Sequence, residues 1–166
     1  RPLKGKKLQR ILHGDEEPSE ELKAYIRSHN RNNTLLINIE SPTGVERMPD
    51  FLQIQSLDGP GVDGIVLGPH DLSTSFEMPE KYSSSAFLEL STQIIQNARK
   101  LGVSAGGHTG YRGSLALQNH WVQNGANIIL HCSDMFLFAD QLQHDFNYIK
   151  NTLGFSQDDS VNSESI

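Results

Sequence analysis

The sequence contains a single cysteine, Cys132, and has no long apolar run. One cysteine excludes a disulfide within the chain and fits a reducing compartment, so a cytoplasmic location is expected. No stretch approaches the ~20 apolar residues that a membrane helix requires, and no signal-peptide pattern is present. We therefore expect no membrane partner.

Basic residues are scarce relative to acidic ones. Lys and Arg number 14 against 20 Asp and Glu, which gives a formal net charge of −6 and a pI of about 5.6. Proteins that bind nucleic acid concentrate Lys and Arg on one face, and the short run from Lys4 to Lys7 does not form such a face. No nucleic-acid partner is predicted.

Apolar residues make up 36% of the 166 positions, which is enough for the packed core of one domain. Short apolar segments alternate with helical patterns along the chain. Strands are predicted at 34–40, 63–67, 103–107 and 127–131, and helices at 18–29, 49–55, 87–101, 114–124 and 133–153. An irregular arm with a turn of helix around residues 8–12 is predicted at 1–17, a loop at 73–85 and a disordered polar tail at 154–166.

Strict alternation of strands and helices predicts an α/β protein with a parallel sheet. A complete (β/α)8 barrel takes about 250 residues, so the four βα units of residues 1–153 predict one half of a TIM barrel. An open four-stranded sheet with helices on both faces is the alternative. In the first strand, Ile37 and Ile39 are apolar. Asn38 and Glu40 alternate with them, which favours a barrel whose interior is polar near the rim.

Two carboxylates stand at the ends of successive apolar segments. Glu40 closes the first predicted strand, and Asp71 follows the second. Because the carboxyl ends of parallel strands meet at one edge of a sheet, both side chains are expected at that edge. One or two carboxylates plus substrate oxygens commonly suffice to hold Mg²⁺. The pattern therefore predicts a divalent-metal site formed by Glu40 and Asp71.

The segments around these carboxylates resemble a known family signature. Residues 39–45 have the sequence IESPTGV, and residues 61–73 have the sequence GVDGIVLGPHDLS. Together they resemble the HpcH/HpaI aldolases, which are metal-dependent class II pyruvate aldolases of the phosphoenolpyruvate/pyruvate barrel superfamily. The resemblance extends over about residues 1–153, and it corresponds to strands five to eight of that barrel.

The resemblance implies a function and a set of site residues. Glu40 and Asp71 correspond to the ligands of Mg²⁺, Mn²⁺ or Co²⁺, and the turn formed by Gly68, Pro69, His70 and Asp71 corresponds to the one that receives the pyruvate carboxylate. The implied reaction is the reversible cleavage of a 4-hydroxy-2-oxoacid to pyruvate and an aldehyde. Related enzymes form oligomers that exchange the last helix, so a homo-oligomer is expected.

The chain departs from the family pattern in three respects. The catalytic histidine and the arginine that clamps the keto oxygen belong to the first four strands of the family, which have no counterpart in these residues. Asn38 stands where a glutamine is usual, and His70 stands where a small residue is usual. No catalytic residue is assigned, and His70 is retained only as a candidate. His108 and His131 end the last two predicted strands and are expected at the same rim.

Two other interpretations remain open. A citrate-lyase-β-like enzyme that acts on acyl-CoA thioesters shares the glutamate element and a later Asp-Leu, although the Gly68-Pro69 pair favours the pyruvate aldolases. A non-catalytic barrel fragment that serves as an interaction module is the second. Four βα units leave a barrel interior uncovered, so we expect association with another copy or with the missing half of the barrel.

Overall fold

The computed structural model describes residues 4–56, 59–110 and 114–154. Its helices are α1 (Gly5–Leu12), α2 (Glu20–Arg31), α3 (Pro42–Leu52), α4 (Pro69–Ser75), α5 (Ser85–Lys100), α6 (Leu115–Gln123) and α7 (Asp134–Thr152). Its strands are β1 (Leu36–Ile39), β2 (Gln55–Ser56), β3 (Gly59–Pro60), β4 (Gly64–Leu67), β5 (Ser104–His108) and β6 (Ile128–Leu130). The tail predicted at 154–166 lies, from residue 155 onward, outside the described residues.

Four strands form one parallel sheet with the order β1-β4-β5-β6. Ile39 is paired with Leu67 in the first pair of strands, and Gly106 is paired with Ile128 in the last pair. The spatial order of these strands follows their order in the chain, with helices between them. The predicted α/β class with parallel strands is therefore confirmed.

One core lies between the sheet and a single layer of helices. Ile39, Ile65, Leu67 and Ala105 from alternate strand positions join it. The helices contribute Met48 and Leu52 from α3, Leu72 from α4, Phe87, Ile94, Ile95 and Ala98 from α5, and Leu117 and Trp121 from α6. Because residues of all four helices belong to one buried cluster with these strand positions, the helices cover the same face of the sheet. The alternative of helices on both faces does not describe these elements.

The opposite face of the sheet is concave. A Cβ atom placed on Gly64 would lie 2.9 Å from Leu36 Cδ2 and 2.9 Å from Ile128 Cδ1. Leu36 belongs to β1 and Ile128 to β6, which are the two outer strands. β1 is the direct neighbour of β4, whereas β6 lies two strands away, so the Ile128 side chain reaches Gly64 only if the sheet curves toward this face. The alternation predicted in the first strand holds here, because Asn38 and Glu40 share this face.

The helix predicted after the first strand is misplaced, and one strand pairing after it was not predicted. The helix expected at 49–55 begins at Pro42, because the Ser41 side chain accepts a hydrogen bond from Gly44 N–H and caps the helix. Pro42 occupies the first helical position, where the missing N–H costs nothing. The signal for this helix start was therefore present in the pair Ser41-Pro42, seven residues before the predicted start. A short antiparallel pairing of β2 with β3 follows and was not predicted.

The loop predicted at 73–85 begins later than expected. Helix α4 spans Pro69–Ser75 and so includes Ser73, which is fully buried. The turn residues Gly68 and Pro69 are the N-cap and the first position of this helix. The chain then crosses residues 76–84 before α5 begins at Ser85.

Helix α7 has an apolar stripe, as predicted, but it buries none of its residues. The exposed stripe includes Leu137, Leu142, Phe146, Ile149 and Leu153. None of the described helices is long and apolar enough to cross a membrane.

Candidate active site

Four polar or small residues mark the carboxyl ends of the sheet strands. Glu40 follows β1, Gly68 follows β4, His108 ends β5, and His131 follows β6. In a parallel sheet these ends lie at one edge, which is where catalytic groups of barrel enzymes lie. The prediction that His108 and His131 share this edge with the carboxylates is confirmed.

The carboxylate of Glu40 lies directly over the backbone of Gly68. A Cβ atom placed on Gly68 would overlap Glu40 Oε1 and lie 3.0 Å from Glu40 Cδ. Asn38 Nδ2 donates a hydrogen bond of 2.9 Å to Glu40 Oε1 and so orients the carboxylate. His108 Nε2 lies 4.0 Å from the same oxygen. The glutamate predicted as a metal ligand is therefore held over the start of α4.

Asp71 lies in the first turn of that same helix, and its side chain is exposed. Ser75 Oγ lies 2.5 Å from the backbone oxygen of Glu40 and 2.6 Å from that of Asp71, within hydrogen-bonding distance of both. A single hydroxyl therefore links the backbones of the two predicted ligands. A carboxylate in the first turn is also favoured by the helix dipole.

A cleft of about 430 Å³ opens beside this turn. Its described lining consists of the four residues Gly68–Asp71 together with Glu80, Tyr82, His108 and Gly110. All four residues predicted to bind substrate line this cleft. His108 also lines it and was named in the sequence, whereas Glu80 and Tyr82 were missed because they lie in a segment that the sequence predicts only as a loop.

Tyr82 joins the cleft through His70. Its hydroxyl lies 3.3 Å from His70 Nδ1, and its ring makes an edge contact with Phe87 at 5.8 Å between centroids. Burial raises the pKa of the Tyr82 phenol above its usual value of about 10, and the charge of Glu80 raises this pKa further. The phenol is therefore protonated at neutral pH and can donate a hydrogen bond.

His131 turns away from the cleft and toward α6. Its Nδ1 lies 2.9 Å from Gln118 Oε1, and Gln118 Nε2 donates to Ser114 Oγ at 2.9 Å and to Thr109 Oγ1. Ser114 Oγ in turn donates to Thr109 Oγ1 at 3.0 Å. Thr109, Ser114 and Gln118 are buried. This network joins the ends of β5 and β6 to α6, which indicates a structural role for His131.

The donor set at the cleft fits a hard divalent cation only in part. Carboxylate oxygens are the ligands that Mg²⁺ and Mn²⁺ take, and one or two of them suffice when water and substrate supply the rest. Within residues 4–56, 59–110 and 114–154, no three His, Cys, Asp or Glu side chains form a group that could hold a metal. The chain thus offers Glu40 and Asp71 and no third side-chain ligand among these residues, and the metal site stays a prediction.

Comparison with known proteins assigns the family. The family model described as HpcH/HpaI aldolase/citrate lyase matches residues 15–140, which is most of the chain. The chain belongs to this family. A curated relative, the 2-keto-3-deoxy-L-rhamnonate aldolase of Escherichia coli (strain K12), is 27% identical over 122 residues. The match includes 71% of this chain and 41% of the relative.

Solved structures share the fold. An HpcH/HpaI aldolase from Desulfitobacterium hafniense DCB-2 matches with a TM-score of 0.66 at 22% identity, over 94% of this chain and 55% of the aldolase. An HpcH/HpaI aldolase/citrate lyase family protein from Burkholderia cenocepacia J2315 matches with a TM-score of 0.63 at 17% identity, over 81% and 52% of the two chains. The chain therefore spans about half the length of these family members.

Proposed function

We propose that this HpcH/HpaI family chain carries the metal- and pyruvate-binding half of a carbon–carbon lyase. The reaction is the reversible, metal-dependent cleavage of a 4-hydroxy-2-oxoacid to pyruvate and an aldehyde. The observation that carries the proposal is the position of the Glu40 carboxylate, which lies against Gly68 at the start of the helix that bears Asp71. Glu40 thereby lies against one end of the turn that lines the cleft, and Asp71 forms the other end.

The architecture that we propose is half of a (β/α)8 barrel, with β1, β4, β5 and β6 as its last four strands. The sequential strand order, the single layer of helices and the concave opposite face support this arrangement. The coverage of about half of each family member supports it as well. The first half of the barrel would cover the concave face and supply the remaining groups of the site, either from the same protein or from a partner.

Each residue at the turn has a distinct proposed role. Glu40 and Asp71 would hold the divalent cation (Mg²⁺, Mn²⁺ or Co²⁺), and Asn38 would keep the Glu40 carboxylate oriented through its amide. The first N–H groups of α4, at His70 and Asp71, have no partner within the helix and would receive the substrate carboxylate. A bound divalent cation supplies a Lewis acid for the keto group.

In the proposed reaction, one electron pair moves from the C3–C4 bond of the oxoacid to the pyruvate fragment. Cleavage breaks the bond between C3 and C4 of the oxoacid as the C4 hydroxyl loses its proton, and the pair remains on the pyruvate fragment as an enolate, which then gains a proton at C3. The turn holds the carboxylate end of the substrate while this charge develops. The name of the Escherichia coli relative, a 2-keto-3-deoxy acid aldolase, supports a substrate of this class.

The proposal predicts metal-dependent release of pyruvate by the full-length protein. A 4-hydroxy-2-oxoacid should yield pyruvate, measured through coupled oxidation of NADH by lactate dehydrogenase, and EDTA should abolish the activity until Mg²⁺, Mn²⁺ or Co²⁺ is restored. Glu40→Gln removes the charge at nearly constant shape and should lower kcat/KM by at least about 100-fold, the upper end of what the loss of a supporting residue costs.

A matched variant controls for surface charge. Glu46→Gln removes an exposed carboxylate from α3 and should leave activity unchanged. Full activity in EDTA, together with full activity of Glu40→Gln, would refute the assignment. Tight binding of coenzyme A without pyruvate release would instead favour a citrate-lyase-type acyl-CoA reaction, which the family description also includes. A full-length protein that neither releases pyruvate nor binds coenzyme A, but still associates with another copy or a partner, would favour a non-catalytic interaction module.

A further inference from the structure

The segment of residues 76–84, between α4 and α5, forms a fixed wall of the cleft. Glu77 and Glu80 both have φ of 59°, in the left-handed region that residues other than glycine rarely adopt. Backbone conformations of this kind persist only when the surrounding structure imposes them, and they cluster at functional sites. Glu80 lines the cleft whereas Glu77 does not, so one of the two unusual residues faces the site.

Ser73 holds this segment in place from within α4. Its buried hydroxyl donates to the backbone oxygen of His70 at 3.0 Å and accepts from Glu80 N–H at 3.3 Å, and its backbone oxygen accepts from Met78 N–H at 2.9 Å. The substrate turn and the wall are therefore parts of one hydrogen-bonded unit. Any ligand seated on the turn lies beside Glu80 and Tyr82.

One carboxylate of this wall is positioned to meet a ligand that carries hydroxyls. The Tyr82 hydroxyl already lies beside His70 Nδ1, whereas the exposed Glu80 carboxylate accepts hydrogen bonds. Among the cleft-lining residues that the structure describes, Asp71 and Glu80 are the two carboxylates, and no lysine or arginine is present. A bound pyruvate carboxylate and a divalent cation would occupy the turn, which leaves the Glu80 charge to act on the rest of the substrate.

We propose that Glu80 selects the aldehyde partner, favouring a neutral, hydroxylated aldehyde and disfavouring one that carries a carboxylate. This inference rests on the proposed function, because it names the substrate class of the same site. A hydroxyl on the aldehyde segment donates a charge-assisted hydrogen bond to the Glu80 carboxylate, whereas a carboxylate in its place meets a like charge. Selection by a repulsive group is a common route to specificity.

The test compares two aldehydes that differ only at their terminal carbon. Glyceraldehyde ends in a hydroxymethyl group, and tartronate semialdehyde ends in a carboxylate. Condensation of each with pyruvate is measured for the full-length, metal-loaded protein, and the readout is the ratio of the two kcat/KM values. The wild-type protein should favour glyceraldehyde. Glu80→Gln should shift the ratio of kcat/KM values several-fold in favour of tartronate semialdehyde. Glu80→Lys should shift it in the same direction by about tenfold or more.

Glu77 provides the matched control, since it has the same backbone angle and the same charge but does not line the cleft. Glu77→Gln and Glu77→Lys should leave the ratio unchanged. If neither aldehyde reacts in the wild-type protein, the proposed function fails and this inference fails with it. If both aldehydes react and the Glu80 variants shift the ratio no more than the Glu77 variants, the proposed selection by Glu80 is wrong, while the proposed function stands. Glu80→Gln preserves the shape of the side chain, so the comparison holds even if Glu80→Lys does not fold.

Discussion

At the residue scale, the backbone of Gly68 contacts the side-chain carboxylate of Glu40. Its φ of −95° is open to any residue, so the glycine is not required by the backbone angle. The requirement is one of space, because the Glu40 carboxylate occupies the position that a Cβ atom would take. A side chain at 68 would displace the carboxylate, which the amide of Asn38 otherwise holds.

Gly68→Ala should therefore impair the metal site while leaving the fold intact. We expect affinity for Mn²⁺, measured by calorimetry or electron paramagnetic resonance, to fall by at least about tenfold. Gly110→Ala is the matched control, since Gly110 lines the same cleft but a Cβ atom there meets no atom of the described residues within 4 Å. Equal Mn²⁺ affinity in the two variants would show that the contact between Glu40 and Gly68 does not shape the site.

At the scale of secondary-structure elements, a buried polar cluster joins β5, α6 and β6. Thr109 Oγ1 accepts from both Gln118 Nε2 and Ser114 Oγ, and Gln118 Oε1 faces His131. Buried donors that lose their acceptor pay the full cost of desolvation, so such clusters are sensitive to removal of one member. The cluster lies beneath the rim, where it sets the relative position of two strand ends.

Thr109→Val keeps the shape of the side chain but removes the shared acceptor. The free energy of unfolding in urea should fall by about 1–3 kcal/mol, because the buried donors of Ser114 and Gln118 lose a partner. Thr43→Val, at an exposed position in the first turn of α3, controls for the intrinsic effect of the substitution and should change stability by no more than about 0.5 kcal/mol. Equal losses in the two variants would contradict a structural role for the cluster.

At the scale of the whole molecule, α7 presents an apolar surface without a buried residue. Leu137 is 49% exposed, Phe138 is 71% exposed and Phe146 is 53% exposed, and these side chains lie on a helix of 19 residues. An exposed apolar surface of this kind marks an interaction site. We therefore propose that α7 packs on a second copy or on the other half of the barrel.

Substitutions in α7 should weaken this association. Phe146→Glu together with Ile149→Glu should shift the full-length protein toward its smaller species in sedimentation velocity, because two charges would be buried at the contact. Gln143→Glu adds a charge to the same helix at an exposed polar position and should leave the sedimentation coefficient unchanged. An identical species distribution for the double variant and the wild-type protein would place the interface elsewhere.

The sequence alone determined the class of fold and the principal site candidates. Alternation of apolar segments with helical patterns is a local property, so it predicted the parallel α/β class, and period-two alternation correctly assigned Asn38 and Glu40 to the face away from the helices. The resemblance of residues 39–45 and 61–73 indicated the family that the comparison confirmed. The local error arose at Ser41, which caps the start of α3 although the helix was predicted to begin at residue 49.

Only the tertiary structure decided what surrounds those candidates. His108 faces the cleft, whereas His131 contacts α6. This difference depends on the register between β5 and β6 and on the packing of α6, and a short stretch of sequence encodes neither. The same holds for Glu80 and Tyr82, which reach the site because buried Ser73 ties their segment to α4. Contacts between residues far apart in sequence depend on the curvature and packing of the whole sheet, and local patterns carry little information about either.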